Sequence, residues 1–201
     1  MSLLSIPMLN IGLKSNATIT ESLRHQLTNL YGLFLATIIG VTFTLLSLVY
    51  FKGLYHIPLA GTLTFGSSVL FFKYGAKRFI KFYMSVMPVF YSNWFASYFC
   101  DASLTPFVAV NILNLAFYPW TLVIFDIRTE RKSIIYSYAI QILITTSFLF
   151  YSPYFTSNNF IDMGLLRSGT LASLTLIASI FFVIAGTVSN YLIYSEHNLK
   201  K

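Results

Sequence analysis

The chain is 201 residues long, the length of one domain, with 9% charged and 56% hydrophobic residues and a net charge of +7. An average soluble domain carries roughly 25% charged residues, so this composition, with a mean hydropathy of +0.71, excludes intrinsic disorder and predicts a membrane protein. Cys100 is the single cysteine, which excludes a disulfide scaffold.

Residues 1–28 read as a cytoplasmic N-terminal segment. Pro7, Asn10 and Gly12 interrupt its apolar stretch, and it lacks the early basic residues of a signal peptide. Thr18-Ile19-Thr20-Glu21 has capping-box spacing. Ile19, Leu23, Leu27 and Leu30 recur at helical intervals, predicting a short interfacial helix that runs into the next element.

Beyond it, six windows contain no Asp, Glu, Lys or Arg. Each is long enough to span a bilayer once. They place spans at about Asn29–Phe51, Tyr55–Phe72, Phe82–Cys100, Pro106–Phe125, Ser133–Tyr151 and Gly169–Tyr194. The predicted fold is all-α, a polytopic six-helix transmembrane bundle over residues 29–194. Residues 195–201 follow the last span on the cytoplasmic side. Short connections at Lys52-Gly53-Leu54 and Asp101 to Thr105 force antiparallel hairpins. All basic residues except Lys52 and Arg167 fall on one side, which by the positive-inside rule puts both termini in the cytoplasm. The positive charge is then topology plus attraction to anionic lipid, with no nucleic-acid patch.

Catalytic chemistry is not legible. The chain has no Gly-x-Ser-x-Gly, no His-Glu-x-x-His, no paired acidic run for two metals and no second cysteine. No cofactor, metal site or catalytic residue is expected, and His25, His56 and His197 read as structural. Ala36, Gly40, Gly61, Gly66, Ala178 and Gly186 read as small residues that let helices approach.

Two features stand out. Asn93, Ser97 and Asp101 follow at four-residue steps on one face of the third element, and Asn111 and Asn114 lie across the hairpin on the fourth. They are either interhelical glue or, with Trp94, Tyr98 and Phe107 as walls, a small ligand pocket. The second feature is the loop Phe125-Asp126-Ile127-Arg128-Thr129-Glu130-Arg131-Lys132, whose alternating charges allow local pairing.

At this loop the chain resembles the six-span N-terminal membrane input domain of some bacterial sensor histidine kinases and class III nucleotide cyclases. The resembling residues are Asn10-Ile11-Gly12-Leu13, then Arg24 and Asn29, then Pro119 with Phe125 to Glu130, and finally Leu165-Leu166-Arg167-Ser168-Gly169. The resemblance implies a sensory input domain of a two-component or cyclase system, multi-pass in a bacterial inner membrane, with residues 195–201 as the cytoplasmic start of a signalling helix. Such a domain has no catalysis of its own, and any catalytic output domain would lie beyond Lys201 or act in trans. Asp126, Arg128, Glu130, Leu192 and Leu199 are its expected coupling residues, the last two at the seven-residue step of a homodimer seam. A small transporter or channel subunit and a non-catalytic membrane scaffold are the alternatives.

Overall fold

The computed structural model describes residues 7–13, 15, 17–42, 44, 45, 48, 55–74, 77–99, 104–151, 180, 183–192, 194 and 195. A 3-10 turn, Pro7–Asn10, precedes α1 (Ile19–Leu35), which continues into a π-helical stretch, Ala36–Thr42. Then come α2 (His56–Lys73), α3 (Lys77–Phe99), α4 (Leu104–Ile124) and α5 (Arg131–Tyr151), followed by a helical segment over 183–192, here α6. The described residues are all-helical, with no strand among them.

The start of α1 follows its sequence signal. The Thr18 hydroxyl accepts from the Glu21 N–H at 3.2 Å, and the Glu21 carboxylate accepts from the Thr18 N–H at 3.0 Å. Two donors left orphaned at the helix start are thereby satisfied reciprocally. The helix runs unbroken through residue 28. Its orientation departs from that of an interfacial helix. Arg24, His25, Gln26, Thr28 and Asn29 are buried, whereas Ile19 and Leu30 are exposed.

Among the described residues no helix is long and apolar enough to cross a membrane. That finding overturns the six-span transmembrane bundle and the multi-pass inner-membrane placement with cytoplasmic termini. The physical reason is that freedom from charge is a weaker condition than hydrophobicity. The charge-free windows carry Thr62, Thr64, Ser67 and Ser68 in α2, Ser85, Ser92 and Asn93 in α3, and Ser137, Gln141, Thr145 and Thr146 in α5. Charges also enter the helices themselves, with Lys77, Arg78 and Lys81 opening α3 and Arg131 and Lys132 opening α5.

Helix α3 is central, packing against α2, α4 and α5, while α1 packs against α2 and α4. Tyr31 of α1 stacks on Trp120 of α4 at 4.2 Å between ring centres and 5° between planes. Phe65, Ile80, Met84, Val89, Phe117 and Ile124 complete the core, joined by Ala185 and Leu192 of α6. Polar side chains share this interior: Asn29, Ser68, Asn114, Thr121 and Gln141 are fully buried, and large apolar ones such as Leu63, Leu143 and Phe150 are exposed.

Close approach is real at two of the expected glycines. A Cβ on Gly61 would sit 2.6 Å from Tyr91 Cζ and Oη, and one on Gly40 would overlap Thr62. Gly66 would meet Ala36 at an ordinary 3.8 Å, Gly186 would meet nothing within 4 Å, and Ala178 lies outside the described residues. Tyr91 cannot swing away freely, because its hydroxyl donates to the Ile57 carbonyl at 2.8 Å. Gly61→Ala is therefore expected to destabilise the fold by about 2 kcal/mol through overpacking, and Gly66→Ala to be near neutral. Chemical denaturation of the two variants beside the parent measures both.

Candidate functional site

The described structure concentrates its charged side chains at the end of the bundle where α1 and α3 begin and α4 finishes. Helix α4 ends with carbonyls that have no intrahelical partner, and these carry the negative end of the helix dipole. The Arg24 guanidinium, only 3% exposed, donates from one nitrogen to the carbonyls of Leu122 at 2.7 Å, Val123 at 2.8 Å and Phe125 at 2.6 Å. A buried cation is costly unless it is paired and hydrogen-bonded. Here three carbonyls and the dipole stabilise it.

The loop that follows is organised by its two carboxylates. Asp126 Oδ1 accepts from the Arg128 N–H at 2.8 Å and the Thr129 N–H at 3.4 Å, folding the turn back on itself. Burial pushes the Asp126 carboxyl up, but the amides of Arg128 and Thr129, the Thr129 hydroxyl and the Arg24 charge outweigh it and hold the group below its ordinary value. Glu130 Oε2 accepts from the Asp126 N–H at 3.0 Å and from Lys81 Nζ at 2.6 Å. The half-buried Lys81–Glu130 pair therefore ties the start of α3 to the loop before α5.

The N-terminal segment docks on the same end. Gly12 adopts φ 78°, in the left-handed region that favours glycine, so the chain turns after Ile11. His25 Nε2 donates to the Ile11 carbonyl at 2.7 Å. Gln26 Nε2 donates to Asn10 Oδ1 at 2.7 Å, and Asn29 Nδ2 donates to the Leu9 carbonyl at 3.0 Å. These three side chains follow one another around α1 and convert a polar helix face into a seat for residues 9–11.

Of the expected ligand pocket, Asn93 and Asn114 are brought together. Asn114 Nδ2 donates to Asn93 Oδ1 at 2.7 Å, and the Ser92 hydroxyl donates to Asn114 Oδ1. Both amides are buried, and the contacts run directly between α3 and α4. Such direct bonds join the two helices. Trp94 is half-buried and meets Tyr91 edge-on at 5.7 Å, and Asn111 is half-buried on α4. The side chains of Ser97, Tyr98 and Phe107, and Asp101 altogether, lie outside the described residues.

Among the expected coupling residues, Asp126 and Glu130 belong to the loop network, whereas the exposed Arg128 contributes its backbone N–H. Leu192 is fully buried in the chain's own core, so it is not offered to a seam with a second copy. Leu199 lies outside the described residues, as do His197 and residues 165–169.

Sequence reasoning missed Lys81 as the partner of Glu130, and it missed a buried triad. Gln141 Nε2 donates to the Ser85 carbonyl at 2.6 Å, to Ser85 Oγ at 3.1 Å and to Thr121 Oγ1 at 3.0 Å, joining α5, α3 and α4. The available signal was Gln141 itself, an amide in an otherwise apolar and hydroxyl-bearing window. Among the described residues no three His, Cys, Asp or Glu side chains stand close enough to hold a metal. No family model matches the chain, and no curated protein and no solved structure matches it.

Replacing Arg24 leaves three carbonyls at the α4 terminus without their donor. Arg24→Met is expected to cost about 3 kcal/mol of unfolding free energy. Arg128→Ala, whose side chain is exposed, should stay within about 0.5 kcal/mol of the parent. Equal stability of the two variants in denaturant titration would remove Arg24 from its structural role.

Proposed function

We propose that the chain is a sensory input module without catalysis of its own, which relays a signal through its last helix to an output domain supplied in cis or in trans. The observation that carries this reading is the convergence of residues that are distant in sequence. Asn10, Ile11, Arg24, Asn29, Phe125, Asp126 and Glu130, the residues of the resemblance to kinase and cyclase input domains, stand in one bonded region at a single end of the bundle.

Such an arrangement suits a relay. The loop between α4 and α5 is tied to α3 by the charge-assisted Lys81–Glu130 bond and feels the charge of Arg24 on α1 through Asp126, so it is linked to both helices at once. Helix α6 is coupled to α4 by Ser189, whose hydroxyl reaches the Pro119 carbonyl at 3.3 Å, and by Leu192 in the shared core. A shift of α4 against Arg24 is therefore felt at α6. A stimulus moves this equilibrium only by its different affinity for the two arrangements.

The test uses a chimera carrying a class III cyclase catalytic domain after Lys201. One alanine inserted after Glu196 rotates a helical exit by roughly 100° and should change basal cyclase output, while four alanines, slightly more than one turn, should largely restore it. Output indifferent to both insertions would refute a relay through the last helix.

A further inference from the structure

We propose that the charged end of the bundle docks on an anionic lipid surface, where headgroup phosphates meet its basic side chains and its exposed aromatic rings enter the headgroup layer. Lys73 ends α2, Arg78 stands in the first turn of α3, Arg128 lies in the loop after α4, and Arg131 and Lys132 open α5; all five are exposed. The Lys81–Glu130 pair ties the start of α3 to the loop before α5, and α2 ends shortly before α3 begins, so the five cations stand at one end. The carboxylates nearby are engaged within the chain: Glu130 accepts from Lys81, Asp126 from the amides of Arg128 and Thr129, and Glu21 from Thr18. The far ends of the same helices, His56 to Leu59, Phe95 to Phe99, Leu104 to Val108 and Ser147 to Tyr151, contain no Asp, Glu, Lys or Arg.

Local structure does not call for cations in these places. Arg131 and Lys132, like Arg78, stand in the first turn of a helix, where the dipole disfavours positive charge, and neither first turn contains an acidic residue. Basic side chains and two helix N-termini therefore add to one positive potential, which an external anionic surface relieves. A second observation is independent of charge. Tyr74, Phe79 and Tyr136 are 78%, 58% and 62% exposed, and each follows a cation: Lys73 and Arg78 directly, Lys132 after one helical turn. Ile19, in the first turn of α1 at the same end, is 67% exposed.

An apolar ring beside a long cationic side chain suits a headgroup layer, where the ring leaves water while the cation meets phosphate. A nucleic acid would match the cations but offers nothing to the aliphatic Ile19. The contact is made at the bilayer surface, and it requires no helix to cross, for which none of the described helices is long and apolar enough. Each Lys or Arg held against an anionic bilayer strengthens binding by about fivefold. That attraction reaches about 10 Å at 0.1 M salt and about 3 Å at 1 M. The docking is a property of this surface alone and does not rest on the signalling role.

Co-sedimentation of the full chain with vesicles tests it, comparing phosphatidylcholine alone with phosphatidylcholine that contains roughly a third phosphatidylglycerol. The parent should bind the anionic vesicles about tenfold or more tightly at low salt, and about 1 M salt should remove the difference. Arg131→Gln combined with Lys132→Gln should weaken anionic binding about twenty-fivefold; both side chains are exposed, so circular dichroism should show the helices retained. Phe79→Ser combined with Tyr136→Ser should also weaken binding while leaving its salt dependence in place. Equal affinity for the two vesicles, or parental affinity in either double variant, would overturn the docking. So would a preference for single-stranded RNA over the anionic vesicles, which would assign the face to nucleic acid.

Discussion

The burial of one guanidinium organises the described structure. Arg24 sits in the second turn of α1 and satisfies the carbonyls at the end of α4, nearly a hundred residues away. A cation in that place is tolerable only with its carbonyl partners, and those carbonyls are tolerable in the interior only with a donor. Each therefore requires the other, and the crossing of α1 over α4 is determined with little freedom. The Tyr31–Trp120 stack, farther along the same two helices, holds the crossing at a second point.

The remaining helices are assembled by the same logic at lower charge. Gln141, Ser85 and Thr121 join α5, α3 and α4, and Asn93, Asn114 and Ser92 join α3 and α4 again, so the central α3 takes part in both networks. Buried polar groups of this kind contribute modestly when satisfied and cost more when left unpaired. They give the apolar core its specificity: Phe65, Met84 or Val89 could slide by a turn and remain buried, whereas an amide would lose its partner. Asn93 Nδ2 and Gln141 Oε1 are the atoms of these networks that keep no hydrogen bond among the described residues.

At the polar end the loads are distributed differently. The loop after α4 is built by its own carboxylates, with Asp126 turning the chain and Glu130 joining it to Lys81. The N-terminal segment is added from outside, through side chains that α1 presents for that purpose. The end of the bundle thus combines a buried crossing with two attachments made at its periphery, one through the loop and one through the N-terminal segment.

Much of this was determined by the sequence alone, wherever the interaction is local. The start of α1 is legible in Thr18 and Glu21, because a capping box involves residues three apart. The Asn93–Asn114 contact is legible from helical steps and a short hairpin, which together leave one way to bring those faces together. The helical character of the chain follows from its long charge-free windows, but the inference from those windows to membrane spans fails. Absence of charge does not measure the lowering of hydropathy by serine, threonine, asparagine and glutamine, nor the charged first turns that the helices include. Only the tertiary structure decided where those polar side chains point, that Arg24 serves α4, that Lys81 serves Glu130 and that Leu192 is spent in the chain's own core. Each of those outcomes is a pairing across many residues of sequence. Such pairings depend on how the helices cross, and no local spacing encodes that.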